Sequence, residues 1–120
     1  YNGTQKFPRS VIASGIFCAR ERRRSMFNNQ RYVTRGITNT VPLVTQIILW
    51  DCIDSMKVER KDYLQVFKLI ANGANQQVTH SQEEPAYERT FTFPTDNPIT
   101  AKIFVIDDET HSTMLLAEEY

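Results

Sequence analysis

Long apolar runs are missing from this 120-residue chain: none approaches the roughly 18 to 20 residues that a membrane-spanning helix needs. Cysteine is scarce. Cys18 and Cys52 are the only two, far apart, with no C-x-x-C spacing, so a redox dithiol, a zinc knuckle and a disulfide-dense scaffold are all unsupported. Two unpaired thiols instead point to a reducing compartment, and a cytoplasmic protein is expected. The four glycines are scattered singly, which leaves no glycine-rich phosphate loop and no G-x-S-x-G elbow. With two histidines there is no H-E-x-x-H pair, and no spaced acid loop of calcium-binding type occurs. No metal or other cofactor is expected. Net charge is also lacking, with 14 basic residues against 14 acidic. What is present is an ordinary globular composition, 41% hydrophobic and 11% aromatic, at the length of one domain. Such a domain buries roughly 60–70% of its unfolded surface, enough for one core.

The zero total hides an asymmetry. Residues 1–25 hold six basic residues against one acid, a net of +5, and residues 26–120 carry the compensating −5. This reads as a basic N-terminal arm or non-native leader (1–25) attached to a single α+β domain (26–120). The stretch Val11-Ile-Ala-Ser-Gly-Ile-Phe17 has the length of a short signal core, but its arginines follow it, the wrong polarity for a secretory signal. Met26-Phe-Asn-Asn-Gln30 reads like the start of a small bacterial protein, which places the boundary at Met26.

Beyond that boundary, signals follow quickly. Arg31–Ile37 is rich in β-formers and is predicted as a strand, followed by a turn over Thr38–Pro42. Pro42 to about Lys57 reads as a helix with two apolar stripes: Leu43, Ile47, Trp50 and Ile53 on one side, Ile48, Leu49, Cys52 and Met56 on the other. A helix apolar on two sides must be covered twice. Asp62–Ala71 is predicted as a strand apolar on both faces. Asn72-Gly73 marks a hairpin to a mostly polar strand near Gln76–Gln82. Tyr87–Phe93 alternates as a half-exposed strand, Pro94–Pro98 turns, Ile99–Ile106 is a central strand, and His111 to about Glu118 is the last. Short connections favour antiparallel neighbours. The expected fold is α+β: an antiparallel β-meander with one principal α-helix, in the order strand, helix, five strands.

Several strings resemble a small bacterial family. They are Arg31-Tyr-Val-Thr-Arg-Gly-Ile37, Gln46-Ile-Ile-Leu-Trp-Asp-Cys-Ile-Asp54, Asp62-Tyr-Leu-Gln-Val-Phe67, His80-Ser-Gln-Glu83, Ala101-Lys-Ile-Phe-Val-Ile-Asp-Asp108 and Ser112-Thr-Met-Leu-Leu-Ala-Glu-Glu-Tyr. Over about residues 27–120 the chain is similar to the staphylococcal-type proteins of unknown function found in low-GC Gram-positive bacteria and their mobile elements. That resemblance carries no activity and no catalytic residue. It implies a context of small cytoplasmic accessory or inhibitor proteins, some carried on mobile cassettes, that bind a host or element-encoded protein.

The residues offer few sites. His80 and His111 could serve as bases or ligands near neutral pH, with Asp107, Asp108 and Glu109 close to His111. Asp107-Asp-Glu-Thr110 also reads as a solvated hairpin turn, where acids bond the local backbone. Arg20, Arg22, Arg23 and Arg24 could neutralise phosphates. The stripe Ile48, Leu49, Cys52, Met56 is either covered internally or forms a protein-contact patch, and the hairpin near 76–93 offers a strand edge to a partner. The leading expectation is a small cytoplasmic protein-interaction module, as a homodimer or with a heterologous partner. The alternative is nucleic-acid binding through the basic arm, and a third is an enzyme using His80 or His111.

Overall fold

The computed structural model describes the backbone of residues 5–7 and residues 26–120 in full. Its centre is a seven-stranded mixed sheet. The strands are β1 (Gln5–Phe7), β2 (Gln30–Val33), β3 (Leu64–Asn72), β4 (Asn75–Gln82), β5 (Tyr87–Pro94), β6 (Ala101–Asp107) and β7 (His111–Leu116). Two helices, α1 (Arg35–Thr40) and α2 (Leu43–Asp54), connect β2 to β3, and a 3₁₀ turn (Ala117–Glu119) follows β7. The α+β class is as expected. The meander is not.

The spatial order is β1-β2-β7-β6-β3-β4-β5. β3, β4 and β5 follow one another as hairpins, and β6 then returns beside β3 instead of β5. Four strands in the order β6-β3-β4-β5 make a Greek key. The turn expected over Pro94–Pro98 is part of a longer crossing. The connection in fact runs from Thr95 to Thr100, and six residues reach about 20 Å, more than the roughly 14 Å across three strand spacings. Beyond β6, β7 adds as an antiparallel hairpin. β2 lies parallel to β7, with Arg31 opposite Ser112 and Val33 opposite Met114. A parallel neighbour requires a crossover, which the helical segment after β2 provides.

The predicted first strand ends early. Thr34 leaves the sheet and caps α1, its hydroxyl accepting from the Ile37 amide at 3.3 Å. The same hydroxyl donates to Glu119 Oε1 at 2.6 Å, and that oxygen also accepts from the Leu116 amide at 2.9 Å. A Cβ on Gly36 would lie 2.5 Å from Glu119 Oε2, so a bare glycine lets the tail carboxylate seat against α1. Among the described residues there are therefore two helices where one principal helix was expected.

In α2 the two predicted stripes become one broad arc. Thr45, Gln46, Leu49, Trp50, Cys52 and Ile53 are buried, while Leu43 and Val44 at the start are exposed. At about 100° per residue the buried positions cover an arc of roughly 160°, with Ile47 and Ile48 half-buried on its flanks. A single sheet face therefore covers most of this helix. Its core partners are Val33, Phe67, Leu69, Val78, Ile103, Val105, Met114 and Leu116. The opposite sheet face carries Tyr32, Leu64, Val66, Phe104 and Ile106, all half-buried. That accounts for β3 and β6 reading as apolar on both faces. Among the described residues no helix is long and apolar enough to cross a membrane.

Candidate functional site

The two histidines do not meet. His80 sits on β4 and His111 on β7, with β3 and β6 between them. The pairings Phe67↔His80 and Phe67↔Ile103 put His80 on the inner face. His111 alternates with the inward Ser112 and lies on the outer face, edge-on to Tyr32 at 5.3 Å.

His80 is wholly buried. Its ring stacks on Phe67 at 4.3 Å between centroids and meets Tyr87 edge-on. Gln65 fixes the tautomer. The Gln65 amide nitrogen donates to the Asp62 carbonyl (2.9 Å) and to Gln82 Oε1 (2.7 Å), so its oxygen faces His80. His80 Nε2 therefore carries the proton and donates at 2.7 Å, while Nδ1 makes no hydrogen bond. Burial pushes the imidazole down to about 4, helped by the positive charges of Arg89 and Lys61. A neutral, sealed imidazole of this kind is a structural group, not a base that reaches solvent.

Gln82 completes the network. Its Oε1 accepts from the Asp62 amide as well, and its nitrogen donates to the carbonyls of Arg60 (3.1 Å) and Pro85 (2.8 Å). Gln76, at the other end of β4, exchanges both bonds with Ile99 (2.8 and 2.9 Å) and also donates to the Ile70 carbonyl. So the strand that looked merely polar turns Gln76, Val78, His80 and Gln82 inward, each buried.

The acidic turn behaves as a turn. Asp108 Oδ1 accepts from the Thr110 and His111 amides and from the Thr110 hydroxyl. Burial is the largest single influence on Asp108 and raises its carboxyl, but these bonds and the neighbouring His111 together outweigh it and hold the carboxyl below the usual range. His111 Nε2 lies 3.4 Å from Asp108 Oδ2. Asp107 has a different role: it is buried at the end of β6, accepting from the Phe27 amide (2.9 Å) and Asn29 Nδ2 (3.2 Å). Among the described residues no three His, Cys, Asp or Glu side chains cluster in a way that could hold a metal ion.

A second buried polar centre was not foreseen. Arg31 on β2 is 2% exposed and forks onto both oxygens of Asp54 at the end of α2 (3.2 and 2.6 Å). It also donates to the Phe27 carbonyl at 2.8 Å and lies over the Trp50 ring at 4.7 Å. Lys61 is close enough to be influenced by both partners. Burial lowers its pKa most, Asp54 opposes that and Arg31 reinforces it. The visible signal was an arginine at an inward position of a strand with a carboxylate at a helix C-terminus, where a negative charge needs a counter-charge.

Of the predicted contact stripe, Leu49, Cys52 and Met56 are buried and Ile48 is half-buried. Most of the stripe is thus covered within the chain, and only Ile48, one turn from the exposed Val44, reaches the surface. Burial pushes the Cys52 thiol up to about 12, with Arg89 lowering and Asp51 raising it, so it is not a nucleophile. Arg20, Arg22, Arg23 and Arg24, and Cys18, lie outside the described residues.

The remaining candidate is the sheet edge. β5 pairs with β4 along its whole length, Asn75↔Pro94 to Gln82↔Tyr87, and has no strand on its other side among the described residues. Thr95 N donates to Ala74 O at 3.1 Å, and in that register 95 faces 74. Hydrogen-bonded pairs alternate in an antiparallel ladder. Tyr87, Arg89, Phe91 and Phe93 therefore bond β4, while the backbone groups of Glu88, Thr90 and Thr92 point outward. Pro94 takes a position whose missing N–H would have faced outward. The inner-face row along this edge holds half-exposed Phe91 and Phe93, 6.2 Å apart, with Arg89 over Phe91 at 5.4 Å.

Comparison with known proteins adds two findings. The family model described as "Staphylococcal protein of unknown function (DUF960)" matches residues 30–119. A crystal structure of a protein of unknown function from Enterococcus faecalis is similar at 28% identity and a TM-score of 0.64, over 88% of this chain and 98% of that one. No curated protein matches.

Proposed function

Because the chain belongs to this staphylococcal family of unknown function, we propose a function from its surface: it is a small protein-interaction module that binds by strand addition to β5. The observation that carries the reading is the edge itself, open among the described residues. Its eight residues, Tyr-Glu-Arg-Thr-Phe-Thr-Phe-Pro, hold β-formers and aromatics, and the run Arg89–Phe93 contains no lysine or proline. Soluble proteins ordinarily blunt such an edge with lysine, proline or a bulge, because it templates pairing. Strand addition gives affinity through main-chain bonds and selectivity through alternate side chains. The amide network behind β4 supports that role: Gln76 and Gln82 tie both ends of β4 to neighbouring loops and hold the strand that carries β5.

The test is affinity capture from a staphylococcal lysate, comparing the chain with its Thr90→Pro variant, alongside the self-association of each. Proline at this position removes one outward N–H and no backbone bond to β4, at the cost of the exposed hydroxyl bond between Thr90 and Thr79 (3.1 Å). A bound protein, or a second copy, that is lost with Thr90→Pro supports the reading. If every association survives the substitution, β5 is not the binding edge.

A further inference from the structure

We infer that the strand added to β5 is the β5 of a second copy, antiparallel about a two-fold axis through Thr90. The inference rests on the edge-binding reading and names its occupant. It follows from register. Only pairings that set outward-facing backbone positions against one another can form ladder bonds, which limits the axis to an inward- or outward-facing residue of β5 itself. With the axis at Arg89, the two arginines would face each other, a like-charge opposition that destabilises a sheet. With the axis at Phe91, Glu88 would face Pro94 of the second copy, which has no N–H to give. With the axis at Thr90, Thr90 faces Thr90 of the second copy and exchanges both backbone bonds with it. Glu88 then faces Thr92 of the second copy, so all three outward N–H groups of each strand find an acceptor.

The side chains agree with this register. On the inner face, Arg89 falls opposite Phe91 of the second copy and Tyr87 opposite its Phe93. Arg89 already lies over the Phe91 ring of its own strand, so the dimer places each guanidinium between two aromatic faces. Tyr87 and Phe93, half-exposed in the single chain, gain an aromatic cross-strand neighbour. On the outer face, Glu88 and Thr92 bring no like charges together. The same edge is used twice, so the contact is isologous and closes as a dimer without growing into a filament.

Sedimentation of the full chain across the micromolar range, with disulfide trapping, tests this. Cys18→Ser serves as the background, since buried Cys52 is shielded. A hydrogen-bonded antiparallel pair holds its Cα atoms about 5.5 Å apart, within disulfide range. Thr90→Cys should therefore link to itself. Glu88→Cys alone and Thr92→Cys alone should not, whereas a mixture of those two should cross-link. Thr90→Pro removes both axial bonds and should weaken the dimer about a hundredfold. A chain that stays monomeric while still binding a heterologous protein through a Thr90-sensitive contact overturns self-pairing and leaves the edge reading standing. A dimer indifferent to Thr90→Pro, or one in which Glu88→Cys self-links, overturns the proposed axis.

Discussion

The inner face of the sheet buries polar side chains at both ends, and the two ends use different chemistry. Beside β2 a full charge is buried: Arg31 forks onto Asp54, with Lys61 nearby. Along β4 the buried polar groups are neutral: Gln65 of β3 links His80 and Gln82 through amide and imidazole bonds, and Gln76 separately bonds Ile99. The difference follows access to water. The Asp54 side chain keeps 25% of its surface exposed, so the ion pair remains in touch with solvent and its desolvation cost is partial. Gln65, Gln76 and His80 are wholly enclosed, where an unpaired charge would cost far more. Charge is tolerated at the wet margin of the core, and amides take over where it is dry.

The largest expected effect probes the charged end. Arg31→Ala strips Asp54 of its partner, Phe27 of a donor to its carbonyl, and Trp50 of the guanidinium over its ring. Because Asp54 is partly solvated, the cost belongs toward the lower end of the 3–5 kcal/mol typical of broken buried pairs, plus a cavity term; about 4 kcal/mol is expected. Urea unfolding of the variant checks it. A loss below about 1 kcal/mol would mean the pair behaves as an ordinary surface salt bridge and the contrast between the two ends is void.

The neutral end should reveal itself through pH. The unfolded imidazole of His80 titrates near 6.5 and the folded one near about 4. Between those values the unfolded chain binds more protons, so stability is full above 6.5, falls as the pH drops, and is wholly lost for this group below 4. The interval corresponds to about 3 kcal/mol. His80→Gln, which cannot charge, should flatten that part of the stability profile. An unchanged slope between pH 6.5 and 4 would assign it to other groups.

Much of the framework was legible because periodicity reports burial locally. The alternation of Tyr87–Phe93, the glycine hairpin at Gly73 (φ +67°) and the helix after Pro42 all stand as read. The parts that were missed depend on long-range partners. Nothing in Pro94–Pro98 says that the chain passes both β4 and β3 to pair along the far side of β3, since that choice is made by pairing between residues far apart in sequence. The two stripes expected on α2 merge into one arc because Thr45 and Gln46 are buried while Leu43 and Val44 are not. A hydrophobicity count gives the wrong sign at all four. Arg31, Gln76 and Gln82 were passed over for a related reason: a polar residue reads as solvent-facing unless its partner is known, and Asp54, Ile99 and Arg60 lie 20 or more residues away from them. The open edge was the exception, visible as an alternating run between turn signals.

The smallest effect tests whether the neutral strip holds topology as well as stability. Gln76 is wholly buried and reaches across to Ile99, in the segment that carries the chain from β5 to β6. Gln76→Ala leaves the Ile99 amide and carbonyl without that partner and removes the bond to the Ile70 carbonyl. Water can reach this segment, whose neighbours Asn97 and Thr100 are exposed, so the stranded groups are partly rehydrated and about 2 kcal/mol is expected. The more telling readout is local. Amide exchange at Ile99 should accelerate strongly while Phe67 and Val105 in the central strands keep their protection, because the β3–β6 ladder is unaffected. If protection were instead lost evenly across the sheet, Gln76 would belong to the same cooperative core as Arg31. The two ends would then differ in chemistry but not in the task they perform.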